Sequence, residues 1–411
     1  MGGNAFNQHV PDAVFPRMSP ATYKSLKAIL LPRMEQLYEQ VAVPPEAPEK
    51  TDHGDLDFVV TQPRTEGTLD RVKDALKAVY SLPQEGRGTS NYAIPADAFD
   101  LDMGEGQEGT SSNGLQNTYF QVDVNVCADR EDWERTVFLH SYGDTGMILG
   151  VIGRGAGLSF GIGGLKLAKP LPTSPPISLH LSSSLLRILE FYGLSRDRLD
   201  AGFTTQREVF EWTATSRLFN ARKVAPSEQS HLRGKKRRGP RTMYQNFVEF
   251  ARERADDPAY EPPHETITQD DVLRFFGKDA EHAALLRASR IKQNAREAFS
   301  GRVIEQWIGM RGLPVKWVMD AARERLNERY AREHPGGGQL IALDRQPGHE
   351  AEAILLSVTP WEVALFEMST EELQKCVVDV KTEMEESGTF ELNWQREDAR
   401  KAEKLNLKTE Q

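Results

Sequence analysis

Cysteine and clustered histidine are scarce in this 411-residue chain, which holds two cysteines and nine histidines. Cys127 and Cys376 are too few for a disulfide framework or a cysteine-based zinc knuckle. The histidines are scattered and form no His-Glu-x-x-His pair. Any metal site would therefore be built from carboxylates, which favours Mg²⁺ or Mn²⁺ over zinc.

Long apolar runs are missing as well. No stretch approaches the run of about 18 apolar residues that spans a bilayer, so no membrane partner is expected. The opening MGGNAFNQHV lacks the basic and then apolar profile of a secretory signal, which predicts an intracellular protein, cytoplasmic or nuclear. The net charge of −10 argues against wholesale wrapping of nucleic acid but leaves room for a local basic patch.

Two kinds of hydrophobic pattern are present, and together they predict an α+β fold. Residues 119–127 alternate between apolar and polar side chains like a half-buried strand, and residues 55–60 read as a second, shorter strand. Helical spacing predicts a helix from Pro20 toward Gln40 and, after residue 178, a mostly helical chain with a capping box at Thr205 and Glu208. The charged tail from Lys381 onward is predicted to be partly disordered.

These patterns suggest three regions in a chain long enough for two or three cores. Residues 1–154 would hold the N-terminal arm, the two strands and their flanking helices. Residues 155–225 would form a helical unit. Residues 226–411 would hold a basic linker and a mostly helical C-terminal region.

The first candidate site residues are Asp55 and Asp57. In a strand they point to the same face, about 7 Å apart at the α-carbons. Two such carboxylates repel each other unless cations bind between them, and two divalent ions roughly 4 Å apart are the usual apparatus for displacing pyrophosphate. Alone, the pattern is weak, because an exposed edge strand or a turn can also hold two aspartates.

Asp123 strengthens this interpretation. It lies on the polar face of the 119–127 strand between Val122 and Val124, where an aspartate without a partner is unfavourable. If the two strands are neighbours, three carboxylates converge on one face, as a two-metal site requires. The alternative is a solvated aspartate on an exposed sheet face.

The segment Gly54–Asp57, followed downstream by an apolar-Gln-Val-Asp strand, resembles the palm of the nucleotidyltransferase superfamily of the DNA polymerase β type. Residues 140–167 are similar to the family X stretch in which a turn contacts the nucleotide and a glycine-containing hairpin follows. The chain also looks like uncharacterised phage and fungal nucleotidyltransferase-like proteins that begin Met-Gly-Gly-x-Ala-Phe. The resemblance covers roughly residues 1–223.

This resemblance implies a palm, which is a small mixed sheet with flanking helices, followed by a thumb-like helical unit. It also implies transfer of a nucleoside monophosphate from an NTP or dNTP to a hydroxyl acceptor such as a polynucleotide end. Asp55 and Asp57 would hold two Mg²⁺ or Mn²⁺ ions, and Asp123 would join the catalytic ion and activate the attacking hydroxyl. The residues implied to contact the nucleotide lie beside these aspartates or in the later turn: Lys50, Gly54, Ser141, Tyr142 and Gly143.

One departure from the family concerns the triphosphate. The family places Gly-Ser or Gly-Gly about ten residues before the aspartates, where backbone amides and a hydroxyl hold phosphate. Here the corresponding residues, Val43–Glu46, are not small, and Pro44 and Pro45 lack the N–H donor. The alternative function is therefore a catalytically inactive relative that binds nucleic acid or a protein partner.

A basic run between residues 233 and 241 has three interpretations: contact with a polynucleotide backbone, nuclear import, or a solvated linker. Its candidate nucleic-acid-binding residues are Lys235, Lys236, Arg237 and Arg238.

Overall fold

The computed structural model describes residues 3–83, 88–99, 117–169, 171, 176, 178–224, 242–262, 266–335 and 357–409. The chain divides into two compact units. The first comprises Met1–Lys169 and Ser178–Phe276, and the second comprises Pro170–Ile177 and Gly277–Gln411. The first unit thus draws residues from all three regions suggested by the sequence.

The first unit is built on a five-stranded mixed sheet with strand order β1-β2-β5-β4-β3. Strands β2 and β5 are parallel, whereas the other neighbouring pairs are antiparallel. The prediction of an α+β fold with a small mixed sheet and C-terminal helices is therefore confirmed. The strands are β1 (Tyr38–Ala42), β2 (Asp55–Pro63), β3 (Tyr80–Pro83), β4 (Thr89–Pro95) and β5 (Tyr119–Val126).

Helices α1 (Pro20–Glu35) and α2 (Thr68–Leu76) supply apolar side chains to the core on one face of this sheet. Ser19 caps α1 by accepting the Thr22 N–H, and Pro20 occupies its first turn, as the sequence predicted. The predicted end near Gln40 was wrong. The helix ends at Glu35 because the following residues pair with β2 as the edge strand β1, and sheet pairing overrides local helix propensity.

The rest of the first unit begins with α3 and α4, followed by a small antiparallel sheet of order β6-β7-β8 and then by further helices. The Trp133 Nε1–H donates to the Val59 carbonyl at 2.9 Å and fixes α3 against β2. These elements are α3 (Arg130–His140), α4 (Thr145–Arg154), β6 (Leu158–Gly161), β7 (Gly164–Leu167), β8 (His180–Ser182), α5 (Leu185–Tyr192), α6 (Arg196–Asp200), α7 (Gln206–Ala214), α8 (Ala221–Val224), α9 (Thr242–Asp256) and α10 (Gln269–Phe276).

The second unit is helical in its described residues. The prediction that the chain from Lys381 onward is partly disordered was wrong for residues 381–386 and 389–409, which are helical. A capping box at Ser369 starts the first of these helices, Lys381 pairs with Glu385 one turn on, and Phe390 is buried. The helices are α11 (Asp279–Ala298), α12 (Gly301–Ile308), α13 (Leu313–Glu333), α14 (Pro360–Phe366), α15 (Thr370–Glu386) and α16 (Thr389–Thr409).

Among the helices of the described ranges, none combines the length and the apolar character needed to cross a bilayer.

Candidate functional site

The pairing of β2 with β5 places the three candidate carboxylates. Asp57 is the direct register partner of Asp123, and Asp55 lies two residues before Asp57 on the same strand. Neighbouring strands are about 4.8 Å apart and side chains alternate between faces. The intervening Leu56 and Val122 are fully buried in the core of the opposite face. Asp55, Asp57 and Asp123 therefore share one face of the sheet.

The electrostatics of this face are unfavourable to three ionised carboxylates. Burial, together with the neighbouring charges of Asp55 and Asp123, raises the pKa of Asp57 to about 8. Burial also raises the pKa of Asp123 to about 6, with a contribution from Asp55 that hydrogen bonds from Asn91 and Gln121 oppose. Burial is the largest cause of both shifts, and repulsion between neighbouring carboxylates adds to it.

Hydrogen-bond donors of the protein hold one carboxylate oxygen of Asp123 and one of Asp55. Asp123 Oδ1 accepts from Asn91 Nδ2 at 2.6 Å and from Gln121 Nε2 at 2.9 Å. Asp55 Oδ2 accepts the backbone N–H of Gly3 at 3.2 Å, so the N-terminal arm reaches the site. Gly54 is buried, and its carbonyl lies directly against Gly3.

A fourth acid, Glu46, lies beside the aspartates. It accepts the Tyr23 hydroxyl at 2.9 Å, lies 3.3 Å from His53 Nδ1 and forms an ion pair with Lys50. Burial opposes ionisation of Glu46, but the adjacent His53 and Lys50 side chains prevail and lower its pKa to about 2. Lys50, which the resemblance placed near the triphosphate, is therefore held by Glu46 in this structure.

The candidate residues Ser141, Tyr142 and Gly143 form a tight turn between α3 and α4. Tyr142 and Gly143 both have positive φ, and the Tyr142 N–H donates to the Pro45 carbonyl at 2.7 Å. A Cβ on Gly143 would lie 2.8 Å from the Ala47 Cβ, so the close approach requires glycine. The turn thus packs against the segment that leads to Glu46. The Ser141 hydroxyl donates to the Val137 carbonyl at 2.6 Å.

A cavity of about 250 Å³ opens beside this turn. Trp133, Phe138 and Leu199 supply apolar walls, and Ser141 and Tyr142 also line it. Two of the sequence-derived candidates therefore face a cavity that adjoins the Pro45–Glu46 segment. A mixed apolar and polar lining of this kind suits a flat heterocycle with a few polar groups.

Carboxylate oxygens are the donors that Mg²⁺ and Mn²⁺ prefer, so the chemistry of the set fits these ions. Within the described residues, hydrogen bonds occupy one oxygen each of Asp55 and Asp123, which leaves the other oxygen to a cation. No three His, Cys, Asp or Glu side chains in that part of the chain are already grouped as they would be around an ion.

Several polar residues near the three aspartates were not predicted from the sequence. Asn91 and Glu46 gave no signal, because their roles depend on contacts with residues distant in sequence. Gln121 could have been identified in part, because it lies two residues before Asp123 on the same strand and therefore on the same face. The candidate nucleic-acid-binding residues Lys235, Lys236, Arg237 and Arg238 lie outside the described residues.

Comparison with known proteins adds no relative. No protein-family model matches this sequence. No curated protein matches it either.

Proposed function

We propose that the first unit is a nucleotidyltransferase palm of the DNA polymerase β type. It would transfer a nucleoside monophosphate from an NTP or dNTP to a hydroxyl acceptor, such as a polynucleotide end. The observation that carries the proposal is the register of the parallel pair β2–β5, which sets Asp57 opposite Asp123 with Asp55 on the same face. The raised pKa values of Asp57 and Asp123 support it, because a bound cation would offset both the burial of these carboxylates and their mutual repulsion.

In the proposed reaction the acceptor oxygen forms a bond to the α-phosphorus of the nucleotide. The bond from that phosphorus to the bridging oxygen breaks, and pyrophosphate leaves with the electron pair. The proton of the acceptor hydroxyl would pass to Asp123, which would act as the general base. Asn91 and Gln121 would orient the Asp123 carboxylate, because both donate to its Oδ1.

Asp55 and Asp57 would hold two Mg²⁺ or Mn²⁺ ions, and Asp123 would contribute to the ion beside the attacking oxygen. When bound, these ions would stabilise the negative charge that develops on the attacking and leaving oxygens. The donor set favours Mg²⁺ or Mn²⁺ because it consists of carboxylate oxygens without sulfur.

The cavity beside the 141–143 turn is the proposed place for the nucleoside. Its volume of about 250 Å³ and its wall of Trp133, Phe138 and Tyr142 suit a base or a sugar. Lys50 would contact the triphosphate only after leaving Glu46, with which it is paired. A triphosphate carries several negative charges, so it can compete with a single carboxylate for this lysine.

One observation favours the second candidate, a non-catalytic relative that binds nucleic acid or a protein partner. Where the family offers phosphate-binding amides, this chain has Pro44 and Pro45, and the Pro45 carbonyl accepts the Tyr142 N–H. Because proline has no backbone N–H, this segment lacks two amide donors that could otherwise bind phosphate.

Nucleotide binding distinguishes the two candidates. The full chain is titrated calorimetrically with non-hydrolysable nucleoside triphosphates in Mn²⁺, Mg²⁺ or EDTA. It is then incubated with labelled NTPs, dNTPs and mixed hydroxyl acceptors. We expect nucleotide binding only with metal, and transfer of label with release of pyrophosphate. Absence of metal-dependent nucleotide binding would refute the enzyme and leave the non-catalytic relative.

The basic run supplies a separate prediction. Neutralising Lys235, Lys236, Arg237 and Arg238 together should weaken nucleic-acid binding uniformly across sequences and flatten its dependence on salt. The reason is that each cationic side chain that neutralises a phosphate displaces counterions from the nucleic acid, so a variant with fewer such cations displaces fewer. Fluorescence anisotropy with labelled oligonucleotides over a range of salt concentrations measures the slope. An unchanged slope would assign the run to import or to a solvated linker.

A further inference from the structure

The N-terminal arm, residues 3–18, is anchored to the first unit by its aromatic residues. Phe6 is fully buried in a cluster with Ala93 and Tyr119, and its ring stacks on Phe15 with centroids 5.3 Å apart. Full burial removes the apolar surface of the Phe6 ring from water and so holds the arm against the first unit. The arm is also joined to the loop before β2, where Met18 and His53 exchange backbone hydrogen bonds of 2.7 and 2.9 Å.

At the start of the arm, Gly3 is held against the carboxylate face. Its N–H donates to Asp55 Oδ2 at 3.2 Å, and its φ is +83°. A Cβ at this position would lie 2.4 Å from the Gly54 carbonyl oxygen. Both the backbone conformation and the close approach therefore require glycine. No larger residue can bring this N–H to Asp55 without displacing the backbone.

Two residues further on, the arm acts on Asp123 through Gln121. The Ala5 N–H donates to Gln121 Oε1 at 3.0 Å, and Gln121 Nε2 donates to Asp123 Oδ1 at 2.9 Å. A side-chain amide has one accepting and one donating end. Because the backbone N–H of Ala5 fixes the accepting end, the donating end must face Asp123. The arm thus determines the orientation of the Gln121 amide.

We propose that the arm is an integral part of the carboxylate site, with Gly3 and Gln121 as positioning residues for Asp55 and Asp123. Through them the arm sets the affinity of the site for divalent cations. This inference rests on the proposed function, since it assumes that these carboxylates bind metal. Hydrogen bonds to ligating carboxylates orient them, and removal of such a partner typically weakens metal binding by about 10- to 100-fold.

The test compares two variants of the full chain with matched controls. Gly3→Ala displaces the arm, and Gln121→Met removes the relay but keeps the length of the side chain. Gly67→Ala controls for positive φ alone, because Gly67 has φ +70° and a Cβ there would meet nothing within 4 Å. Thr61→Val controls for removal of a buried hydrogen bond on the neighbouring strand β2, since Thr61 donates to the Cys127 carbonyl at 3.0 Å.

The readouts are the Mn²⁺ dissociation constant, from the paramagnetic resonance signal of free Mn²⁺, and the melting temperature in EDTA. We expect Gly3→Ala and Gln121→Met each to raise the dissociation constant about tenfold or more. The controls should bind Mn²⁺ like the wild type, with melting temperatures in EDTA comparable to those of the two variants.

Wild-type affinity in both variants would overturn the role of the arm and leave the proposed function intact. An equal loss of affinity in Gly67→Ala or Thr61→Val would overturn it too, because general destabilisation would then explain the effect. If the wild-type chain itself binds no Mn²⁺, the proposed function and the role of the arm fail together. The melting temperatures show whether Gly3→Ala is folded, and Gln121→Met tests the arm independently if it is not.

Discussion

Replacing Asp123 with asparagine is expected to lower the rate of nucleotidyl transfer by about 10³-fold or more, because removal of a positioned general base alone costs about 10²–10⁴. The substitution keeps the shape of the side chain and an oxygen that can still accept from Asn91 or Gln121. Metal-dependent nucleotide binding should remain largely intact, because Asp55 and Asp57 still hold cations. Single-turnover kinetics and calorimetry on the same preparation separate the two quantities.

The double variant Asp55→Asn with Asp57→Asn should, unlike Asp123→Asn, abolish metal-dependent nucleotide binding, because it removes the two carboxylates proposed to hold the cations. Asp52→Asn is the matched control, because Asp52 precedes β2 on the same loop but is exposed and paired with Arg17 at 2.7 Å. The control should retain both activities. Equal loss of nucleotide binding in the single and double variants would contradict the division of roles between the two strands.

Without metal, Asp57→Asn is expected to stabilise the protein at pH 8 by about 2–4 kcal/mol. Folding raises the pKa of Asp57 to about 8, so the folded state binds this proton more tightly than the unfolded chain does. The free energy of unfolding of the wild type should therefore fall as the pH rises from about 4 to about 8. Asparagine carries no charge that burial would disfavour or that would repel Asp55 and Asp123, so the variant avoids most of this loss.

Urea unfolding in EDTA at pH 5 and pH 8 measures this difference. The stabilisation should be large at pH 8 and much smaller at pH 5, because pH 5 lies only about one unit above the pKa of an aspartate in the unfolded chain. Mn²⁺ should reverse the order at pH 8, because it stabilises only the chain that binds it. Asp52→Asn should give no stabilisation, since an adjacent guanidinium lowers the pKa of Asp52. An Asp57→Asn variant less stable than the wild type at pH 8 would show that burial and carboxylate repulsion do not disfavour an ionised Asp57.

Local features of the fold could be read from the sequence because their causes are local. Alternation of apolar and polar residues identified β5, and Ser19-Pro20 marked the start of α1. The Thr205 side chain accepts the Glu208 N–H at the start of α7, as one half of the predicted capping box. The spacing of Asp55 and Asp57 also fixed their common face once they lay in a strand.

Predictions that depended on packing were less accurate. The helix predicted to run toward Gln40 does not continue into residues 38–42, because these residues pair with β2 as an edge strand. The charged tail is helical through residue 409, and Phe390 gives it a buried contact that its charge pattern does not reveal. Charge density alone predicts solvation, but it does not report which side chains find an apolar neighbour.

By itself, the sequence determined which residues carry the candidate chemistry, since side-chain type and strand periodicity place two aspartates on one face and a third on another strand. Only the tertiary structure decided that these strands are parallel neighbours in a register that sets Asp57 against Asp123. It also brought Gly3 to Asp55 and Ala5 to Gln121, across separations of 52 and 116 residues. The physical reason is that strand order and the path of the arm follow from burial of Phe6 and of the sheet core, which is a property of the whole unit.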